Sequence, residues 1–197
     1  MASNDYHFIT QWRVRSTLPE INDIIGNALE LPRWWPSVYL QVKELEQGQE
    51  QGTGKVVDLY TKGYLPYTLR WQFRVTEARY PYGFTIEAWG DFVGRGIWTF
   101  TQDGEYVDIT YDWKIRADKP LLHYFSFLMK PIFAANHRWA MRQGETSLRL
   151  ELDRRHARTD EERARIPAPP GLKTASLPLI AGGNARSVPT YSQTGER

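Results

Sequence analysis

From Tyr67 to Val75 the chain alternates strictly. Tyr67, Leu69, Trp71, Phe73 and Val75 fall on one side, and Thr68, Arg70, Gln72 and Arg74 on the other. Successive strand side chains point to opposite faces, so the pattern predicts a β-strand with one packed face and one wet face. Val107 to Ile115 repeats it, with Val107, Ile109, Tyr111, Trp113 and Ile115 opposed by Asp108, Thr110, Asp112 and Lys114. Tyr6 to Val14 sets Tyr6, Phe8, Thr10, Trp12 and Val14 against His7, Ile9, Gln11 and Arg13. Further strands are expected at Leu40–Leu45, Lys55–Thr61, Phe84–Trp89 and Val93–Thr101. Turn signals separate them at Gly63-Tyr64-Leu65-Pro66, Tyr80-Pro81-Tyr82-Gly83 and Asp103-Gly104.

Two stretches change to a helical period. Thr17, Pro19 and Glu20 mark a helix start, Ile21, Ile24, Ile25, Ala28 and Leu29 follow at helical spacing, and Pro32 is expected to end that helix. After Pro120 comes Leu121, Leu122, Phe125, Leu128 and Met129. Beyond Pro131 a stripe runs through Ile132, Phe133, Asn136, Ala140, Gln143, Gly144, Ser147 and Leu148, and the helix is expected to reach about Arg155. Strands followed by a closing helix predict an α+β fold: a curved antiparallel sheet of about seven strands wrapped around a long C-terminal helix, with short helices between strands 1 and 2. Residues 158–197 turn charged and then rich in Pro, Ala, Gly and Ser, which bury too little to offset ordering entropy. The expected division is therefore a ligand-binding domain over 1–157 and an unstructured tail over 158–197.

Composition narrows the chemistry. There are no cysteines, so disulfides, thiolate metal sites and a cysteine nucleophile are excluded. That agrees with a cytoplasmic location, as does an N-terminus that does not read as a secretory signal. No run is long and apolar enough to predict a membrane span. Residues 1–154 carry 18 Lys and Arg against 19 Asp and Glu, while residues 155–197 carry 7 against 4. The domain thus lacks the basic excess that a phosphate backbone requires, and no nucleic-acid partner is expected. There is no glycine-rich phosphate loop, no nucleophile elbow and no histidine pair at metal-ligand spacing; His7, His123, His137 and His156 are scattered. No metal or other cofactor is expected.

The candidate site is the aromatic inner face. Trp71, Phe73, Trp98, Phe100, Tyr111 and Trp113 are expected to form its wall, and a hydrophobic small molecule is the expected partner. Trp35 and Tyr39, on the stiff connection around Pro32 and Pro36, are placed at the cavity mouth. Phe133 and Asn136 share the inward stripe of the long helix. His137, at the stripe's edge, is the candidate for proton transfer. Asp91 and Arg95, within the glycine-rich Gly90 to Gly96 stretch, are candidate polar anchors or catalytic groups, the glycines permitting close approach.

Several motifs carry a resemblance: Thr10-x-Trp12, Trp34-Trp35-Pro36, Gly63-x-Leu65-Pro66-Tyr67, Gly90-Asp91-Phe92-x-Gly94-x-Gly96-x-Trp98, Tyr111-x-Trp113, and Pro131-x-Phe133-x-x-Asn136-His137-x-x-Ala140-Met141-x-x-Gly144. Over about residues 5–154 the chain resembles the helix-grip superfamily of pollen-allergen, START and polyketide cyclase/dehydrase proteins, and more narrowly the bacterial polyketide cyclase/dehydrase-like proteins of the SRPBCC group. The resemblance implies a cavity between sheet and helix. It leaves two activities open: binding of a lipid- or polyketide-like molecule, or cyclisation or dehydration of a poly-carbonyl substrate in the same space.

Overall fold

The structure is a computed structural model that describes residues 5–117 and 126–171, with backbone only at 117 and 126–130. Strand β1 (Asp5–Arg15) leads into helix α1 (Leu18–Gly26), a 3₁₀ turn (Ala28–Glu30) and the short helix α2 (Leu31–Trp34). Six strands follow: β2 (Tyr39–Glu46), β3 (Val56–Lys62), β4 (Thr68–Ala78), β5 (Gly83–Gly90), β6 (Phe92–Asp103) and β7 (Tyr106–Ala117). Helix α3 (Ser126–His156) closes the domain, and a single helical turn and a half, α4 (Asp160–Arg165), comes after it.

All seven strands form one antiparallel sheet in the order β1-β7-β6-β5-β4-β3-β2. The sheet curves, and register shifts in β2 and between Val75 and Glu77 in β4 mark bulges of the kind that bend a strand. The inward residues of β1, β4 and β7 are those the period-two pattern selects: Leu69, Trp71, Phe73 and Val75 are buried, as are Val107 through Ile115 at every second position. Glu87 and Arg95, cross-strand partners in β5 and β6, lie on the wet face.

Helix α3 crosses the concave face. Phe133, Met141, Ser147, Leu148, Glu151 and Leu152 are buried on it, at whole-turn intervals such as 141, 148 and 152 that form one packed stripe. Pro131 lies inside this helix. Ile132, expected in the stripe, is exposed, and Met141 takes a place there instead. The expected first helical piece at Leu121–Phe125 lies outside the described residues.

Two expectations are corrected. Pro32 does not end the first helix. Helix α1 stops at Gly26, with Asn27 as its C-cap, and Pro32 sits in the first turn of α2, where no amide hydrogen is needed. Leu29 consequently leaves the helical stripe and is exposed. The tail is not wholly unstructured from residue 158: Thr159 caps α4 by accepting from the Glu162 amide, and Arg154 donates to the Pro167 carbonyl. The remainder of that tail, 172–197, lies outside the described residues.

Candidate functional site

The curved sheet, α1, α2 and α3 enclose two neighbouring cavities. The larger, of about 770 Å³, runs from the α1 end of the sheet into its centre. The smaller, of about 100 Å³, lies beneath the first half of α3. Trp35, Tyr39, Trp71 and Tyr111 border both.

Trp35 is positioned from two sides. Its amide donates to the Leu31 carbonyl at 2.8 Å, ending α2, and its carbonyl accepts from both Val38 and Tyr39, folding the chain tightly into β2. On the other side Gly144 of α3 provides a seat, since a Cβ there would stand only 2.3 Å from the Trp35 ring. The rings of Trp12, Trp34 and Tyr39 surround it at 5.7, 5.4 and 5.2 Å. Helix α2 is itself tied to α3 by a two-pronged ion pair, with both Arg33 terminal nitrogens 2.8 Å from Glu151. Glu151 is buried, and Arg155 supplies a second partner at 3.0 Å. Burial raises the Glu151 pKa, but the bonds from Arg33 and Arg155 outweigh it and hold the carboxyl below its ordinary value.

The sheet supplies a run of stacked rings. Tyr111 lies flat on Trp98, centroids 4.0 Å apart, with Trp113 next at 5.5 Å and Trp71 a further 5.8 Å on. Gly96, opposite Trp113 in the β6–β7 ladder, makes this possible: a Cβ there would meet the Tyr111 hydroxyl at 2.8 Å. That glycine accommodates a neighbouring strand's side chain, not a ligand. The Trp71 indole donates to Thr61 at 3.2 Å and is satisfied. The hydroxyls of Tyr39 and Tyr111 differ. Neither has a hydrogen-bond partner among the described residues, and neither belongs to the sealed, orphaned polar atoms such as the Tyr67 hydroxyl. Burial pushes both phenols up in pKa, Tyr111 with an added push from Tyr39, so both remain protonated donors at neutral pH.

The lining of the larger cavity is graded. Asp23, Asn27, Gln51 and Tyr80 are exposed and form its mouth. Lys55, also in the lining, is half-buried with its amine 3.3 Å from Glu44. Deeper in, the wall is Leu59, Trp71, Phe73, Val75, Ile86, Trp98 and Tyr111. Leu59 and Ile86 were not singled out from sequence, although their inward positions on β3 and β5 follow from the same period of two. The mouth residues sit in loops and helix ends, where no periodic signal exists.

Of the expected wall, Trp71, Phe73, Trp98 and Tyr111 border the larger cavity, and Trp113 and Phe133 the smaller. Phe100 borders neither; it is packed solid at the far end of β6 against Phe84 and Trp98. Asn136 borders the smaller cavity, but its side-chain oxygen accepts from the amides of Tyr64 and Leu65 at 2.8 and 3.4 Å, clamping the β3–β4 loop to α3. Gly63 leaves the room for it. His137 also borders the smaller cavity. It stacks on Phe8 at 4.2 Å and its Nε2 lies 3.3 Å from the Thr10 hydroxyl. Burial and then nearby Arg138 lower its pKa to about 4, so the imidazole is neutral. Asp91 and Arg95 are away from both cavities. The Asp91 carboxylate accepts from the Arg70 amide at 2.8 Å in the β5–β6 turn, and Arg95 is exposed on the outer face. Among the described residues no group of acidic, histidine or cysteine side chains converges as a metal site, and no helix is long and apolar enough to cross a membrane.

No family model and no curated protein matches the sequence. Solved structures do match the fold. The Zhui aromatase/cyclase from Streptomyces superposes with a TM-score of 0.60 at 17% identity, over 78% of this chain and 97% of that one. The chain has the helix-grip fold. A Thermus thermophilus protein (TM-score 0.56, 12% identity, 73% and 97% coverage) and the major latex-like protein 151 of Panax ginseng (0.50, 13%, 70% and 99%) share it. In this arrangement α3 faces the aromatic wall across the smaller cavity, while the larger is bordered by α1, Ala28, Leu31 and Trp35 opposite the sheet.

Proposed function

We propose that the protein binds a hydrophobic or aromatic small molecule, lipid- or polyketide-like, in the larger cavity. The observation that carries this reading is a cavity of about 770 Å³ whose deep wall is ring-lined and whose mouth is polar. That volume is within the range of small-molecule sites. The wall rings are already nearly buried, so the gain comes from the ligand's own apolar surface, roughly 25 cal/mol for each Å² taken out of water, enough for affinity without any reaction. Trp35, Tyr39, Trp71, Phe73, Trp98 and Tyr111 are the residues assigned to contact it, with Trp113 and Phe133 reached only by a ligand that extends into the smaller cavity.

The test is direct. Organic extraction or native mass spectrometry of untreated protein is expected to reveal a bound apolar compound. The protein is also expected to bind 1-anilinonaphthalene-8-sulfonate, with fluorescence rising, and Ile86→Trp, which fills the deep wall, is expected to abolish it. A wild-type protein that neither carries nor takes up any apolar compound refutes the proposal.

A second reading, cyclisation or dehydration of a poly-carbonyl substrate, is favoured by one observation: a neutral imidazole, His137, borders the smaller cavity with a hydroxyl partner. In that reading His137 moves the proton, while Asp91 and Arg95 have no part because they face neither cavity. Loss of turnover in His137→Gln, with Asp91→Asn unaffected, is the expected pattern.

A further inference from the structure

A cavity walled by rings says little about which apolar molecule it prefers. Its unpartnered polar atoms say more. Tyr39 enters from the start of β2, one edge of the sheet, and Tyr111 from the middle of β7, the strand next to the other edge. Their rings are fixed by neighbours: Tyr39 meets Trp35 edge-on at 5.2 Å, and Tyr111 lies flat on Trp98 at 4.0 Å. Both border the larger and the smaller cavity, so both stand at the deep end where the two volumes adjoin.

Neither hydroxyl donates to or accepts from any described residue, while the neighbouring Trp71 indole is bonded to Thr61. Tyr111 is only 7% exposed overall. The hydroxyls are not sealed off, so with no protein partner they are left to water or to a ligand in the cavity. Two such donors, each on a ring held by its neighbours and both bordering the junction of the cavities, are preorganised to meet an acceptor group there.

We propose that Tyr39 and Tyr111 form a paired-donor subsite that selects ligands carrying a neutral acceptor oxygen, a ketone or similar carbonyl, at the end that enters the cavity first. This rests on the ligand-binding reading above. The bound molecule is then a planar, largely apolar compound oriented with its oxygen inward, and a plain hydrocarbon of the same shape is discriminated against. Lys55 and Asp23 at the outer part of the lining are left to meet any charged group, at the opposite pole.

The test compares two probes of nearly identical shape, 2-acetylnaphthalene and 2-isopropenylnaphthalene, in which a methylene replaces the carbonyl oxygen. Binding is read by quenching of tryptophan fluorescence in wild type, Tyr39→Phe, Tyr111→Phe and the double variant. The double variant is expected to lose about five- to tenfold in affinity for the ketone, the scale of one or two hydrogen bonds. Its affinity for the hydrocarbon is expected to change less than twofold. The double variant is also expected to melt close to the wild-type temperature, because no hydrogen bond within the protein is removed.

Equal losses for both probes, or no loss for the ketone, overturn the subsite while leaving the ligand-binding reading standing. A fall of several degrees in melting temperature also overturns it, by showing that the hydroxyls bond within the protein. Failure of the wild type to bind either probe overturns both the subsite and the cavity reading beneath it.

Discussion

Gly144→Ala puts two known effects in opposition at one position. In an exposed helix interior, replacing glycine with alanine stabilises by about 1 kcal/mol, because glycine has more backbone freedom to lose. At Gly144 the new methyl would lie 2.3 Å from Trp35 Cζ2 and 2.6 Å from two more ring carbons. Carbon atoms rest about 3.5–4.0 Å apart, so ring and helix must separate by at least ~1.2 Å. The Trp35 ring has little freedom to do so. It is 3% exposed and flanked by Trp12, Trp34 and Tyr39. Overpacking of this kind costs ~1–3 kcal/mol. The balance is a net loss of about 1 kcal/mol, a fall of ~2–4 °C in melting temperature for a domain of this size. Because Trp35 borders both cavities, the displaced ring should also weaken probe binding. Differential scanning calorimetry with the anilinonaphthalene titration measures both quantities. A melting temperature that rises by several degrees with unchanged binding would refute the claim that α3 seats Trp35.

Other perturbations have equally definite outcomes. Asn136→Ala removes the acceptor for the Tyr64 and Leu65 amides, and hydrogen exchange of those two amides is expected to accelerate while the β7 amides stay protected. His137 has a folded pKa of about 4 against 6.5 unfolded, so below pH 6.5 the unfolded chain binds a proton that the folded one refuses. Its contribution is therefore intact above pH 6.5 and lost as pH falls toward 4, reaching about 3 kcal/mol at that end, and His137→Gln should flatten this part of a stability–pH curve. Arg33→Met strands a buried Glu151 on Arg155 alone and should cost roughly 3 kcal/mol in urea denaturation at pH 7. Since the Glu151 pKa is depressed in the fold, its stabilisation is present above the unfolded carboxyl value and vanishes as pH falls through the folded one. The penalty of Arg33→Met should shrink accordingly in acid.

What the sequence conveyed follows from the range over which each signal acts. The alternation in β4 and β7 is local, and it identified the buried face residue by residue, from Leu69 to Val75 and from Val107 to Ile115. It could not say how far along the strand the cavity extends, which is why Phe100, on the correct face, proved to be solid core. Pro32 was misread because a proline forbids the middle of a helix but suits its first turn; Gly26 and Asn27 carried the stop signal. The glycines near Asp91 suggested access for a ligand, yet Gly96 makes room for Tyr111, a residue fifteen positions later in the chain. Polar residues were hardest to rank. Asn136 lies on the inward stripe but is engaged by the β3–β4 loop, whereas Tyr39, expected at the mouth but found where the two cavities adjoin, and Tyr111, expected in the wall, retain unengaged hydroxyls. Satisfaction of a hydrogen bond depends on distant partners, and so do the seat at Gly144 and the Arg33–Glu151 pair.

Trp35, Tyr39, Trp71 and Tyr111 serve as the common partition between the two chambers. Packing holds these rings in place, so a guest that moves one must first break its ring contacts and then gains the chamber behind it in a single increment. Capacity should then change in steps: small guests leave the screen shut, larger ones open it, and intermediate sizes are disfavoured because they strain the partition without filling what lies beyond.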